Sequence, residues 1–398
     1  MSAAQEVLKK LDAQTEWQEE LYIHLHKHPE LSMQEVETAA EITRRLESYG
    51  YDVQQIGGGV VGVMKNGEGP TVLFRADIDA LPVEEATGLP YRSEVPGVMH
   101  ACGHDFHITA GLGAAKLLAE SRDLWAGTYI ALFQPAEETA EGAQSMVDDG
   151  LVEKVPRPDV ALGQHVLVAP VSGKVGTIAG PMLSTAANIK VTVYGKGSHG
   201  SMPHLGIDPV VLASSIVMRL QGIVAREISP FKFAVVTVGS LQAGTKSNII
   251  PDRAVLLLNI RAYDMEVRDH MIASIERIVK AECEASGSPK PPEIELYEMF
   301  PLTNNDAEVT AKVTAALKEA LGEDRVVPLD PITASEDFSN IPNAFGIPYC
   351  YWGFGGFAEG QQTYPNHNPA FGPVLQPTLR TGTEAAVAGV LAYLGKDN

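Results

Sequence analysis

The sequence predicts an α/β protein with a mainly parallel central sheet, split by a smaller inserted α+β domain of ferredoxin-like pattern. Three observations predict it. Short apolar strands alternate with helices from 36 to 166, the order strand-helix-strand-strand-helix-strand fills 188–300, and helices resume at 306–321 and 380–394. Alternation favours parallel strands covered by helices, and the β-α-β-β-α-β order is the ferredoxin-like arrangement. A chain of 398 residues also exceeds a common single-domain length. The expected division is 1–183 and 299–398 for the two segments of the α/β domain and 184–298 for the insertion.

The elements follow from the residues in order. Val7, Leu8, Leu11, Trp17, Leu21 and Leu25 recur at helical spacing and predict an amphipathic opening helix. Residues 36–50 predict a second helix, with Gly50 as its stop. GVVGVMKN (59–66) and TVLFRADI (71–78) read as strands, and DFHITAGLGAAKLLAES (105–121) as a helix with Asp105 as its candidate N-cap. TYIALFQP (128–135) is a strand ended by Pro135, GAQSMVDDGL (142–151) a helix, and DVALGQHV (159–166) a buried strand. In the insertion, NIKVTVYGKG (188–197) alternates as a half-exposed strand does. A helix over 207–226, strands over 233–242 and 254–263, a long helix over 266–286 and a strand over 293–300 complete it.

Composition excludes some functions. Thirty Lys and Arg against fifty Asp and Glu leave a net charge of −20, so binding to a phosphate backbone is not expected. Three cysteines are too few for a disulfide framework. The N-terminus has no apolar signal-peptide core, and no run approaches 18 uninterrupted apolar residues. A cytoplasmic protein without membrane attachment is the expectation.

The densest chemistry is HACGHDFH (100–107), a loop leading into a helix N-terminus. A glycine between Cys102 and His104 lets thiolate and imidazole converge, and both are good transition-metal ligands. The bland alternative is a buried free thiol beside surface histidines. Glu137 and Glu138 follow a strand end, where open α/β sheets place their sites. Two carboxylates there suit a metal ligand and a general base, or else a solvated acidic loop. His165 ends an apolar strand and is either a core residue or a ligand. His367 lies in the loop NHNP (366–369). Asp77 and Asp79 close a strand, and Asp79 reads best as a partner orienting a ligand histidine. Taken together the donors suffice for a dinuclear site. GKGSHG (195–200) lacks the P-loop spacing, and Gly57-Gly58-Gly59 lacks the dinucleotide context. His199, Asn248 and Arg261 in the insertion are by composition structural or solvated.

FRADIDALPVEE (74–85), PGVMHACGHDFH (96–107), FQPAEETAEGA (133–143), GKGSHGSMPH (195–204), SNIIPD (247–252), SEDF (335–338) and NHNPAF (366–371) resemble the aminoacylase and hippurate hydrolase branch of the dinuclear metallopeptidases, which also holds the indole-acetyl-amino-acid hydrolases. MVDDGL (146–151) and GQHV (163–166) are similar to acyl-glutamine aminoacylases. The resemblance implies a zinc-exopeptidase-like catalytic domain with an inserted lid and dimerisation domain. It implies two divalent ions, zinc first, with manganese or cobalt also suited to a mixed N, S, O site. The implied ligands are Cys102, His104, Glu138, His165 and His367. Glu137 would be the base and later the proton donor, His199 would stabilise the oxyanion, and Asn248 and Arg261 would hold the amino-acid side. The implied reaction is hydrolysis of N-acyl amino acids by a homo-oligomer, a dimer or tetramer. Ser198, Gly200 and Ser201 stand where the family often has Gly, Ala and Ala. Rival readings are a dipeptidase or carboxypeptidase on the same scaffold, a hydrolase using Cys102 as nucleophile, and a binding protein without activity.

Overall fold

In the computed structural model, which describes residues 1–396, the chain forms two compact units. The first comprises Met1–Met182, Asn304–Pro331 and Asp337–Asn398, and the second Leu183–Thr303 and Ile332–Glu336. The short return of 332–336 to the second unit has no sequence signal of its own.

The first unit is built on an eight-stranded sheet. Its strands stand in the order Asp52–Ile56, Gly59–Asn66, Gly127–Gln134, Thr71–Asp77, Val160–Val171, Tyr349–Phe357, Val175–Thr177 and Val326–Pro328. The central pairings are parallel, while the edge beginning at Asp52 is antiparallel. The helices His104–Ala119 and Leu375–Leu394 are buried along most of their length against this sheet. Consecutive residues of the strands Thr71–Asp77, Gly127–Gln134 and Tyr349–Phe357 are buried, and burial of both faces is why these strands read as continuous apolar runs rather than alternations.

Two expectations change, and one central strand is added. The single opening helix is broken into Ala3–Leu8, a tight turn at Leu11–Gln14 and Thr15–Lys27. The tight turn redirects the chain while keeping Leu11 and Gln14 buried. Asp105 is not an N-cap: Gly103, at φ 82°, holds that position. The Asp105 carboxylate instead meets His26 Nδ1 at 2.6 Å and accepts from Phe106 N at 3.0 Å. The central strand Tyr349–Phe357, buried throughout, carries no clear strand signal in the sequence, because three of its nine residues are glycine and glycine weakens a strand reading. Packing explains them: a Cβ on Gly355 would meet the carbonyls of Pro170 and Val171 at 2.2 Å, and one on Gly353 would meet Leu167 Cδ1 at the same distance.

The second unit has a four-stranded antiparallel sheet in the order Ala234–Ala243, Arg253–Ala262, Thr185–Tyr194, Glu293–Phe300. Helices Pro209–Gly222 and Met265–Ala285 supply the rest of its core, through Leu212, Ile216, Leu220, Met271, Ile275 and Val279. One helical stretch, Pro209–Glu227, is long and apolar enough to cross a membrane by length and composition alone. Its buried stripe belongs to this core, with Arg219, Arg226 and Glu227 along the same stretch.

Candidate metal centre

The site is assembled from loops at the ends of the first unit's strands. Gly103 separates Cys102 from His104 and takes a left-handed conformation; a Cβ there would meet Val166 Cγ1 at 2.4 Å. Only glycine allows both the turn and the close approach. The thiol of Cys102 then lies 3.4 Å from His165 Nε2. The loop carrying His367 is tied to the same turn, because His367 N donates to Ala101 O at 2.8 Å and Asn366 Nδ2 lies 3.4 Å from both O and Sγ of Cys102. His367 itself adopts φ 68°.

Hydrogen bonds on one ring nitrogen fix where the other points. His104 Nδ1 donates to Asp79 O at 2.9 Å and faces Asp79 Oδ1 at 3.2 Å, which leaves Nε2 as a lone-pair donor. His165 Nδ1 donates to Val166 O at 2.6 Å, which likewise frees Nε2. Asp79 Oδ2 accepts from Glu138 N at 3.0 Å and from Ser32 Oγ at 2.7 Å. One carboxylate therefore orients His104 and anchors the loop of Glu138.

His104 Nε2 lies 3.9 Å from Glu138 Oε1 and 4.0 Å from Glu137 Oε2, and His367 Nε2 lies 3.1 Å from Glu138 Oε2. Cys102, His104 and His165 form one convergent donor group, and Cys102, Glu138 and His367 another. Donors bound to one ion at about 2.0–2.3 Å stand roughly 3–4 Å apart, which is the spacing seen. Among the described residues, His104 Nε2 and Glu138 Oε1 are buried polar atoms with no hydrogen-bond partner. Such atoms are costly unless something satisfies them, and a divalent cation does so for both. The residues present thus fit the metal pair that the resemblance implies.

The local field points the same way. Burial works against protonation of His104, but the charges of Asp77, Asp79 and Cys102 outweigh it and hold the imidazole well above its ordinary range. Hydrogen bonds to Cys102 and Glu138 raise His367 to about 10. Burial and the neighbouring His107 push His165 well below 6.5. Anions that favour positive charge on these imidazoles favour a bound cation at the same place, where it would replace the proton.

The other members of HACGHDFH turn away from the cluster. His107 Nδ1 pairs with Asp77 and its Nε2 accepts from Val166 N at 2.8 Å, so neither nitrogen is free to ligate. Asp77 is also held by Arg75 Nη1 at 2.6 Å. His100 is buried, and burial lowers it to about 4. Asp337, in the SEDF stretch, accepts from Arg75, Gln134 and Ala143 N. Glu35 and Ser32, which carried no motif, support the site's loops through Ala136 N and Asp79.

His199, Asn248 and Arg261 lie in the second unit. Ser198–His199 pairs with Ile249–Ile250, and Gly200 N donates to Asn248 O at 2.8 Å, so His199 and Asn248 are neighbours. A Cβ on Gly200 would crowd the Asn248 backbone at 3.0 Å. His199 Nδ1 accepts from Ser201 N at 3.2 Å and lies 2.7 Å from Ser201 Oγ, which places the ring proton on Nε2. Arg261 Nε donates to Asn259 Oδ1 at 3.0 Å, and its Nη1 donates to Thr333 O at 2.6 Å and Ser335 Oγ at 3.2 Å.

Residues 73–390 match the family model described as peptidase family M20/M25/M40. Over 366 residues, 87% of this chain and 81% of the relative, the sequence is 37% identical to N-acetyl-L-cysteine deacetylase of Bacillus subtilis (strain 168). It is also 37% identical to thermostable carboxypeptidase 2 of Saccharolobus solfataricus over 388 residues, 96% of each chain. Among solved structures, the Bacillus subtilis YXEP protein, described as a dinuclear metal binding peptidase from the M20 family, aligns with a TM-score of 0.78 and 30% identity, covering 96% of this chain and 99% of that one. A match over most of the length, with the donor-bearing stretches inside it, establishes that the chain belongs to peptidase family M20/M25/M40.

Proposed function

We propose that this protein hydrolyses the amide bond of N-acyl amino acids, releasing a carboxylic acid and a free amino acid. The observation that carries the reading is the buried Glu137 carboxylate, 4.0 Å from the unpartnered His104 Nε2 and next to a donor cluster built for two divalent ions. Cys102, His104, Glu138, His165 and His367 would hold those ions, with zinc favoured by the thiolate and imidazoles and manganese or cobalt also accommodated. When bound, the ions supply Lewis acidity toward the carbonyl and the attacking water. Glu137 takes a proton from that water and passes it to the departing amine. His199 donates through Nε2–H to the carbonyl oxygen as negative charge develops there. Asn248 and Arg261 bind the amino-acid side, Arg261 through the free α-carboxylate.

The carboxypeptidase relative favours one second reading. A C-terminal peptide bond presents the same amide followed by a free carboxylate, so the same residues would serve. Parallel assays of acetyl amino acids and of dipeptides discriminate, and the proposal expects the acetyl compounds to give the higher kcat/KM. Glu137→Ala should retain metal by elemental analysis yet lose about 10²–10⁴ in kcat; near-normal turnover would remove Glu137 from the mechanism. A Cys102 nucleophile would instead make the metal-loaded enzyme sensitive to iodoacetamide and indifferent to chelators. We further propose a homo-oligomer, dimer or tetramer, supported by the edge strand Ala234–Ala243 and the exposed Phe231 and Met218 of the second unit. A cytoplasmic location is supported by three cysteines that are all buried and free.

A further inference from the structure

Ala136 is the residue immediately before Glu137 and Glu138, and it adopts φ 47°, ψ 42°. An L-residue with a Cβ enters this left-handed region only at a cost. The turn is held at both ends of the peptide. Its carbonyl accepts from Glu141 N at 3.3 Å and Gly142 N at 3.1 Å, and its N–H donates to Glu35 Oε1 at 2.8 Å. Glu35 comes from a segment 101 residues away, at the N-cap of helix Val36–Ser48. Its side chain is buried, with 5% exposure. No basic side chain pairs with it among the described residues, and burial raises its carboxyl to about 7 despite the backbone amides that favour the anion. A buried carboxylate without a cation weakens a fold. Here that cost is borne at the turn that directs two adjacent carboxylates into the donor cluster. Asp79 Oδ2 holds the far side of the same turn through Glu138 N.

We propose that Glu35 is a positioning residue: its carboxylate locks Ala136 in the left-handed conformation and so aims Glu137 and Glu138 at the metal-binding donors. The inference rests on the reading of Glu137 as base and Glu138 as ligand. It deepens that reading by assigning a role to a residue outside every motif.

The backbone conformation itself supplies the test, because glycine occupies the left-handed region without the Cβ cost. Glu35→Ala, Glu35→Gln, Ala136→Gly, Glu35→Ala/Ala136→Gly and Glu138→Ala are compared in the full chain. Zn²⁺ affinity is measured by competition with a chromogenic chelator, and kcat and KM with an acetyl amino acid. Glu35→Ala should lower kcat about tenfold or more and weaken Zn²⁺ binding, with KM little changed. Glu35→Gln keeps a carbonyl acceptor for Ala136 N and should retain most of both. Adding Ala136→Gly to Glu35→Ala should recover a large part of the kcat and of the affinity, which a general loss of stability would not do. The inference is overturned if Glu35→Ala lowers only the Tm, or if Ala136→Gly restores nothing. If Glu138→Ala leaves Zn²⁺ affinity intact, the site reading fails and takes the inference with it. If Glu138→Ala weakens binding and Glu35→Ala does not, the Glu35 inference fails alone.

Discussion

Individual side chains in this site are defined by what their second polar atom touches. His26 shows the principle outside the donor set. Its ring is 2% exposed, with Nδ1 2.6 Å from Asp105 and Nε2 3.3 Å from Glu85. Two carboxylates on two nitrogens require both to donate. Burial alone would depress the imidazole, but the bonds to Asp105 and Glu85 prevail and raise it to about 9. The folded state therefore holds a proton that the unfolded chain releases near 6.5. The stabilisation is complete below the unfolded value and is lost as pH rises through about 9. His26→Gln should destabilise the protein by roughly 3 kcal/mol at pH 6.5, with the gap shrinking toward pH 10. Urea unfolding of both proteins across that range measures it, and a pH-independent gap would refute the charged bridge. The two-carboxylate partnership has no signature in LHKHPEL, since Asp105 and Glu85 lie 79 and 59 residues away.

At the scale of elements, the start of helix His104–Ala119 is the most constrained point. The turn at Cys102-Gly103-His104 needs a residue that tolerates φ 82° and no side chain facing Val166. Gly103→Ala should cost about 1–3 kcal/mol of stability and displace Cys102 or His104 from the cluster. Metal content by elemental analysis should fall in the folded variant; full metal occupancy with an unchanged Tm would show that the turn has slack. This element was legible in the sequence because its ligands are two residues apart, and glycine between two donors is a local signal. The strand Tyr349–Phe357 was not. Its glycines are required by the backbone of Val160–Val171 beside it, and that neighbour is nowhere near it in the sequence.

For the whole molecule the dominant quantity is the net charge of −20. An N-acyl amino acid carries a carboxylate, so the long-range field opposes its approach while the proposed metals and Arg261 attract it at short range. Raising ionic strength shortens the screening length from about 30 Å at 0.01 M to about 8 Å at 0.15 M, and screens the distant repulsion more than the contact at the site. The kcat/KM for an acetyl amino acid should therefore rise severalfold over that range, and that of an uncharged amide analogue should not. A fall with salt would mean that the positive focus governs approach instead.

Sequence alone determined the chemistry that is local: a thiolate and an imidazole separated by one glycine, and two carboxylates after a strand end. It determined the architecture too, through the alternation of strand and helix and the β-α-β-β-α-β order of 188–300. It separated the candidate ligands from their neighbours only through a family resemblance. Tertiary structure decided which imidazoles face the cluster. His104 and His165 present Nε2 because Asp79 and Val166 O occupy Nδ1, whereas both nitrogens of His107 are taken by Asp77 and Val166 N. Tertiary structure also brought His367 to Cys102 and set Glu35 behind Ala136. The physical reason is the same in each case. A side chain's identity is written in its own position, but its direction and free lone pair are set by hydrogen-bond partners that only the folded chain brings near.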